Sequence, residues 1–161
     1  MNRQEVRGLL LRWGSSEQIV ERLEKQRQAL RIWADDALDT LGTQKLTGMP
    51  GGGGVRDLSD VVCAADQRRE VYAERCRVLD DELRRHVDMC ARIDRAVCAL
   101  EPKAQRVVQM RYMQGMRWAQ IAEVMFYDER RVRQIDEQAV DRIAEMLKQD
   151  ETRPEVSENY R

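Results

Sequence analysis

The stretch that decides the fold runs from Trp118 to Ile143 and reads WAQIAEVMFYDERRVRQIDEQAVDRI. Apolar residues recur in it every three or four positions on both sides of Phe126-Tyr127, which predicts two helices separated by a turn. Asp128 is suited to cap the second helix, because its carboxylate can accept from free backbone N–H groups. Ala122 is small enough for a close helix crossing. This stretch therefore predicts a helix-turn-helix.

A third helix is predicted just upstream of this pair. Pro102 suits the first turn of a helix, where its missing N–H costs nothing, and the helix is expected to end near Gln114-Gly115. Its apolar face carries Val107, Val108, Met110 and Tyr112. The three helices together predict a helix-turn-helix DNA-binding domain over residues 101–148.

The start of the last helix presents the polar groups that suit a DNA groove. Its outward face carries Glu129, Arg130, Arg131, Arg133 and Gln134. Arginine can bond to guanine and glutamine to adenine through paired hydrogen bonds in the major groove. Further along, Asp136, Glu137 and Asp141 are expected to repel phosphate, so only the first two turns are expected to approach DNA.

The net charge of the chain adds little to the attraction of this surface for DNA. Residues 101–148 contain nine basic and eight acidic side chains, and the whole chain of 161 residues has a net charge of −1. Phosphate neutralisation by lysine and arginine dominates affinity for DNA. We therefore expect weak intrinsic binding that dimerisation or a partner protein strengthens.

The upstream part of the chain predicts long helices. Residues 1–41 are expected to form two N-terminal helices with a break at residues 13–16. Apolar residues then repeat in heptads over residues 16–41 and again over residues 58–100, and Trp33 lies on the first of these seams. An antiparallel coiled-coil hairpin of the two segments is predicted. Because the shorter arm cannot cover the longer seam, another subunit or the C-terminal domain is expected to cover the rest, and we expect a homodimer through the heptad helix.

Two segments lack helical periodicity. Residues 42–57 contain four consecutive glycines after Pro50 and are predicted to form a flexible linker. Residues 149–161 are predicted to be a polar, disordered tail. The expected fold is therefore all-α: a long helical hairpin followed by the helix-turn-helix domain.

Composition argues against several other classes of protein. Four cysteines without a Cys-x-x-Cys pair and a single histidine make a metal site improbable. No catalytic constellation, nucleotide-binding loop or cofactor site is expected, so we predict that the protein is not an enzyme. No segment is apolar enough to span a bilayer or serve as a signal peptide, and a cytoplasmic location is expected.

The C-terminal part resembles region 4 of bacterial sigma factors, which reads the promoter −35 element. The resemblance covers residues 100–147 and is carried by Leu100-Glu-Pro102, Arg111-Tyr112, Gly115, Ile121-Ala122, Val132-Arg-Gln-Ile135 and Ala139-Val140. The layout, without a promoter-melting domain, is similar to small phage and prophage regulators of the ArpU and RinA types. The resemblance implies double-stranded DNA and RNA polymerase as partners.

Site residues follow from the same resemblance. It implies base or backbone contacts by Arg130, Arg131, Arg133 and Gln134, and phosphate contacts by Arg117 and Trp118. The family usually has a glycine where this chain has Phe126-Tyr127, so either the turn differs or Tyr127 itself approaches the DNA. Primary sigma factors tend to carry arginine and then glutamate where this chain has Glu129-Arg130, so the −35 consensus need not be the target.

Two other functions fit the same layout. A phage small terminase subunit also joins a DNA-binding helix-turn-helix to a coiled oligomerisation region, and stoichiometry separates it from a regulator. The three helices can also be a protein-interaction module without DNA binding, because any small bundle produces the same apolar periodicity.

Overall fold

The computed structural model describes residues 1–42 and 58–152, and every regular element in these residues is a helix. The linker predicted over residues 42–57 lies outside the described residues except for Gly42, which ends the second helix. The helices are α1 (Arg3–Gly14), α2 (Ser16–Gly42), α3 (Leu58–Cys98), α4 (Pro102–Val108), α5 (Trp118–Met125) and α6 (Glu129–Thr152). A π-helical turn, Gln109–Met113, continues α4. The predicted all-α fold is confirmed.

The chain divides into two compact units. Unit 1 contains Met1–Ile19 and the chain from His86 onward, and unit 2 contains Val20–Arg85. This grouping differs from the domain boundaries expected from sequence. The N-terminal helix α1 lies in the same unit as the helix-turn-helix, although more than eighty residues separate them along the chain.

Unit 1 has two adjoining apolar clusters. The first joins α1, the end of α3, α4 and α6 around Val6, Leu10, Ile93 and Ile143, all buried. The second lies under the helix-turn-helix and contains Val107, Met110, Ile121, Ala122, Val132 and Ile135. The apolar faces expected for α4, α5 and α6 are therefore the faces that pack.

Unit 2 consists of parts of α2 and α3 and has a thin core. Arg27 of α2 donates to Asp80 of α3 over 3.0 Å, and Trp33 lines a groove together with Arg75, so the two helices run antiparallel. Among the described residues of this unit, Leu23 alone is a large apolar residue with a buried side chain. A helical hairpin forms here as expected, but it encloses little apolar volume.

The disordered C-terminal tail was predicted to begin at residue 149, which is too early in the sequence. The helix α6 continues to Thr152, so the first four residues assigned to a disordered tail are helical, and residues 153–161 lie outside the described part of the chain. Over the described residues, no helix is both long enough and apolar enough to cross a membrane.

Candidate nucleic-acid interface

A tight connection positions the start of α5. Gly115 has a φ of +66°, and the N–H of Met116 donates to the carbonyl of Met110 over 3.0 Å. The guanidinium of Arg111 lies over the Trp118 ring, 4.4 Å from its centroid, and donates to the Met116 carbonyl over 2.8 Å. Arg111 therefore ties the π-helical turn to the first residue of α5 through a cation–π contact and a hydrogen bond.

Two predicted phosphate contacts lie at this end of α5. Arg117 is exposed and occupies the N-cap position, where its backbone N–H donates to Oε1 of Gln120 over 2.9 Å. Trp118 is half-buried beneath Arg111. The Arg117 side chain is free to reach a phosphate, whereas the Trp118 ring already has a structural partner.

The turn between α5 and α6 departs from the usual helix-turn-helix. Phe126 has a φ of +56° and a ψ of 42°, in the left-handed region. Its N–H donates to the Glu123 carbonyl, and the N–H of Tyr127 donates to the Ala122 carbonyl over 3.0 Å. This hydrogen-bond pair is a Schellman motif, whose left-handed position is normally glycine. Phe126 is 93% exposed, so its ring gains little from packing.

The outward face of α6 carries the predicted DNA-reading residues close together. Arg130, Arg131, Arg133 and Gln134 are all exposed within the first two turns. Arg131 Nη1 donates to Gln134 Oε1 over 2.9 Å, which leaves the Gln134 –NH₂ group as the donor that can reach a base edge. Arg133 forms an ion pair with Glu129, one turn earlier. Tyr127, at the preceding turn, is 36% exposed.

The expectation that Asp136 faces DNA and repels phosphate is wrong. Its side chain is 1% exposed and lies on the inner face of α6. Arg7 of α1 donates to Asp136 Oδ2 over 3.2 Å, and the Tyr112 hydroxyl donates to the same oxygen over 3.5 Å. Burial of the carboxyl group raises the pKa of Asp136, and Arg7 opposes this shift.

The second acidic residue, Asp141, is also engaged by α1. Arg3 donates to both of its carboxylate oxygens, at 2.6 and 2.5 Å. The hydrogen bonds and charge of Arg3 lower the pKa of Asp141. Two arginines of α1 therefore pair with two carboxylates of α6, and the third acidic residue, Glu137, is exposed and interacts with the charge of Arg3.

A close backbone contact seats α1 against the π-helical turn. A Cβ atom added to Gly14 would lie 1.8 Å from the Tyr112 carbonyl oxygen, so only glycine allows this approach. One residue earlier, Trp13 Nε1 donates to Asp94 Oδ1 over 2.7 Å. Burial of the Tyr112 hydroxyl, together with the Asp136 charge, raises the pKa of Tyr112 to about 12.

Sequence reasoning missed the residues that support this surface from behind. Asp136 falls four residues after Val132 and one after Ile135, inside the apolar stripe, and this helical phase was the signal for its burial. No local sequence pattern indicated the contact between Arg7 and Asp136. The two residues are 129 positions apart, and local patterns carry no information about that contact.

Residues 90–142 match the family described as Sigma-70, region 4. The matched residues comprise the end of α3, all of α4 and α5, and α6 through Arg142. No curated protein and no solved structure matches the chain. The predicted resemblance to sigma region 4 is thus confirmed for about a third of the chain, and this part is a helix-turn-helix similar to the DNA-binding region 4 of sigma factors.

Proposed function

We propose that this protein is a sequence-specific transcriptional regulator of the phage or prophage type, which acts in the cytoplasm. The first two turns of α6 enter the major groove of promoter DNA. Arg131, Arg133 and Gln134 reach base edges or adjacent phosphates, and Arg130 and Arg117 contact the backbone. Glu129 holds Arg133 in place until DNA is bound, and Tyr127 lies beside the groove.

One observation carries this proposal. Within a domain of sigma region 4 type, three exposed arginines, Arg130, Arg131 and Arg133, lie within the first two turns of the second helix of the helix-turn-helix. This is the element that reads DNA in helix-turn-helix proteins generally. Contact with RNA polymerase is the second part of the proposal, and it rests on the sigma-type character of the domain.

The ion pairs formed by α1 support tighter DNA binding than the charge count over residues 101–148 suggested. Arg3 and Arg7 each engage a carboxylate of α6. Compensating these carboxylates reduces the repulsion of phosphates near the groove-facing turns. The positive potential at the start of α6 is therefore less opposed than a count over residues 101–148 indicates.

The test is loss of DNA binding when the two central arginines are removed. A labelled duplex is first recovered by selecting a random-sequence library with the wild-type protein. In an anisotropy titration on this duplex, Arg131→Ala with Arg133→Ala is expected to weaken binding by about 30-fold or more, because each base contact contributes about 1–3 kcal/mol. The slope of log affinity against log salt is also expected to fall by about 2.

Arg95→Ala with Arg142→Ala is the matched control. Both arginines are exposed, and each is paired with a carboxylate, Asp150 and Glu145 respectively. The control removes the same total charge away from the proposed groove face and is expected to change affinity by less than about 3-fold. Equal losses in the two double variants would show that only net charge matters and would reject the assigned site.

A further inference from the structure

An apolar groove lies between α2 and α3 within unit 2. Leu30 and Trp33 line it from α2, and Val78 and Leu79 line it from α3. Trp33 is 55% exposed and Val78 is 53% exposed. Single exposed apolar residues are ordinary, but a contiguous apolar depression with a half-exposed indole marks an interaction surface.

The position of Trp33 is itself unexpected. The heptad pattern placed it on the seam that faces α3, yet in unit 2 much of its ring stays accessible. Two helices cannot enclose a seam of large side chains from all sides, because a coiled-coil knob needs a hole formed by four residues of a facing helix. The hairpin therefore leaves an apolar face that additional helices would cover.

The charge pattern beside the groove indicates what covers it. Arg75, Val78, Leu79 and Glu82 are spaced i, i+3, i+4 and i+7, so they share one face of α3. Around a two-fold axis between positions 78 and 79, Arg75 of one helix faces Glu82 of an antiparallel copy. Val78 then faces Leu79, and the symmetry repeats both pairs. The stripe is thus complementary to itself, as an isologous interface requires.

The balance of charge also favours a second copy over nucleic acid. Residues 66–85 carry six acidic and six basic side chains. A surface built for nucleic acid carries an excess of basic residues, and a surface of one sign would repel a copy of itself. This segment of α3 shows neither feature.

We propose that this groove is the contact between two copies of the chain. The two α3 helices pack antiparallel about an axis between Val78 and Leu79, Arg75 pairs with Glu82 of the other copy, and Trp33 of each copy lies against the joined helices. The inference stands on the groove and its charge pattern, so it does not depend on DNA binding. It adds the physical basis for two linked DNA readers acting together.

The experiment measures the mass of the full chain by light scattering after gel filtration at about 10 μM. A dimer of twice the 18.9 kDa chain mass is expected. Val78→Glu is expected to raise the dimer dissociation constant by at least about 30-fold, because it buries an unpaired charge at the axis. Val87→Glu is the matched control: Val87 is another half-exposed valine of α3, outside the groove and outside unit 2.

Charge reversal tests the proposed pairing directly, at exposed positions where folding is little affected. Arg75→Glu alone and Glu82→Arg alone are each expected to weaken the dimer by about 10-fold, and the double exchange is expected to restore it to within about 3-fold. Far-UV circular dichroism checks that every variant keeps its helix content. A purely structural effect of the two changes would accumulate in the double variant and would not cancel.

Three results would overturn the inference. They are a wild-type chain that stays monomeric at about 100 μM, an assembly larger than a dimer, and a dimer that Val87→Glu disrupts while Val78→Glu does not. An assembly of many subunits would favour the DNA-packaging class over a regulator. A monomer that still binds the selected duplex would reject the dimer and leave the proposed function standing. A dimer that binds no duplex would support the dimer and reject the proposed function.

Discussion

At the scale of single residues, Phe126 shows how the turn of the helix-turn-helix is made. The helix α5 ends in a Schellman motif, and that motif needs one residue in the left-handed region. For a residue with a Cβ atom this conformation costs roughly 1 kcal/mol or more. Since the Phe126 ring is almost fully exposed, packing does not offset the cost.

Phe126→Gly is therefore expected to stabilise the protein by about 0.5–1 kcal/mol, after the larger backbone entropy of glycine in the unfolded chain is included. Urea unfolding followed by circular dichroism measures the change. Phe126→Ala is the control, because alanine removes the ring but keeps the strained Cβ atom, and it is expected to stay within about 0.5 kcal/mol of the wild type. A clear loss of stability in Phe126→Gly would mean that the ring packs in solution.

At the scale of elements, α1 and the π-helical turn after α4 are fitted to each other by one glycine. Gly14 faces the Tyr112 carbonyl so closely that a Cβ atom has no room. Gly8, one and a half turns earlier on α1, has no atom within 4 Å of such a Cβ. The same substitution at these two positions of one helix therefore separates helix propensity from packing.

Gly14→Ala is expected to destabilise the protein by about 2–3 kcal/mol, because the obstructing atom belongs to the backbone and moves only with the π-helical turn. Gly8→Ala is expected to stabilise it by up to about 1 kcal/mol through helix propensity. Parallel urea unfolding curves of the two variants measure both effects. Equal effects at the two sites would contradict the seating of α1 on this turn.

The two ion pairs between α1 and α6 are expected to contribute differently to stability. The Arg3–Asp141 pair is exposed on both sides, and such pairs contribute little because water screens them. Arg7 instead contacts a carboxylate that is fully enclosed, where loss of the partner would leave a buried charge unpaired. The second pair therefore links the position of α1 to that of α6, the helix proposed to read DNA.

At the scale of the whole molecule, α1 completes the unit that contains the helix-turn-helix. Val6, Leu10 and Trp13 contribute three buried side chains to the core formed with α6 and the end of α3. Burying a large apolar side chain contributes about 1.5–3 kcal/mol, so their combined contribution is comparable to the total stability of many domains. A fragment limited to residues 101–148 lacks this support.

Deletion of residues 1–14 is therefore expected to loosen α5 and α6, although these helices lie more than a hundred residues downstream in the sequence. Hydrogen exchange measured by mass spectrometry should show the amide protection of α6 falling by about 100-fold or more, because the loss of core contacts makes local opening easier. Protection in residues 66–85 of unit 2 serves as the internal reference and is expected to change little. Unchanged protection of α6 would show that the helix-turn-helix is stable without α1.

The helix-turn-helix was the part of the structure best predicted from sequence. The boundaries of α5, the start of α6 after Asp128 and the buried positions Ile121, Val132 and Ile135 all follow from apolar spacing and capping chemistry. These are local signals, since a helix repeats every 3.6 residues and its ends need particular residues. The match to Sigma-70, region 4 lies over the same residues.

The sequence by itself determined the helices, their apolar faces and the cationic start of α6, because each depends on residues within a few turns of one another. Only the tertiary structure decided that α1 joins the unit that contains the helix-turn-helix, that Asp136 is enclosed by Arg7 and Tyr112, and that Trp33 stays half-exposed beside α3. Each of these depends on which elements meet across long stretches of chain, and helical periodicity does not encode that choice. The stretch from Trp118 to Ile143 thus specifies the helix-turn-helix, and α1, more than a hundred residues upstream, holds it in place.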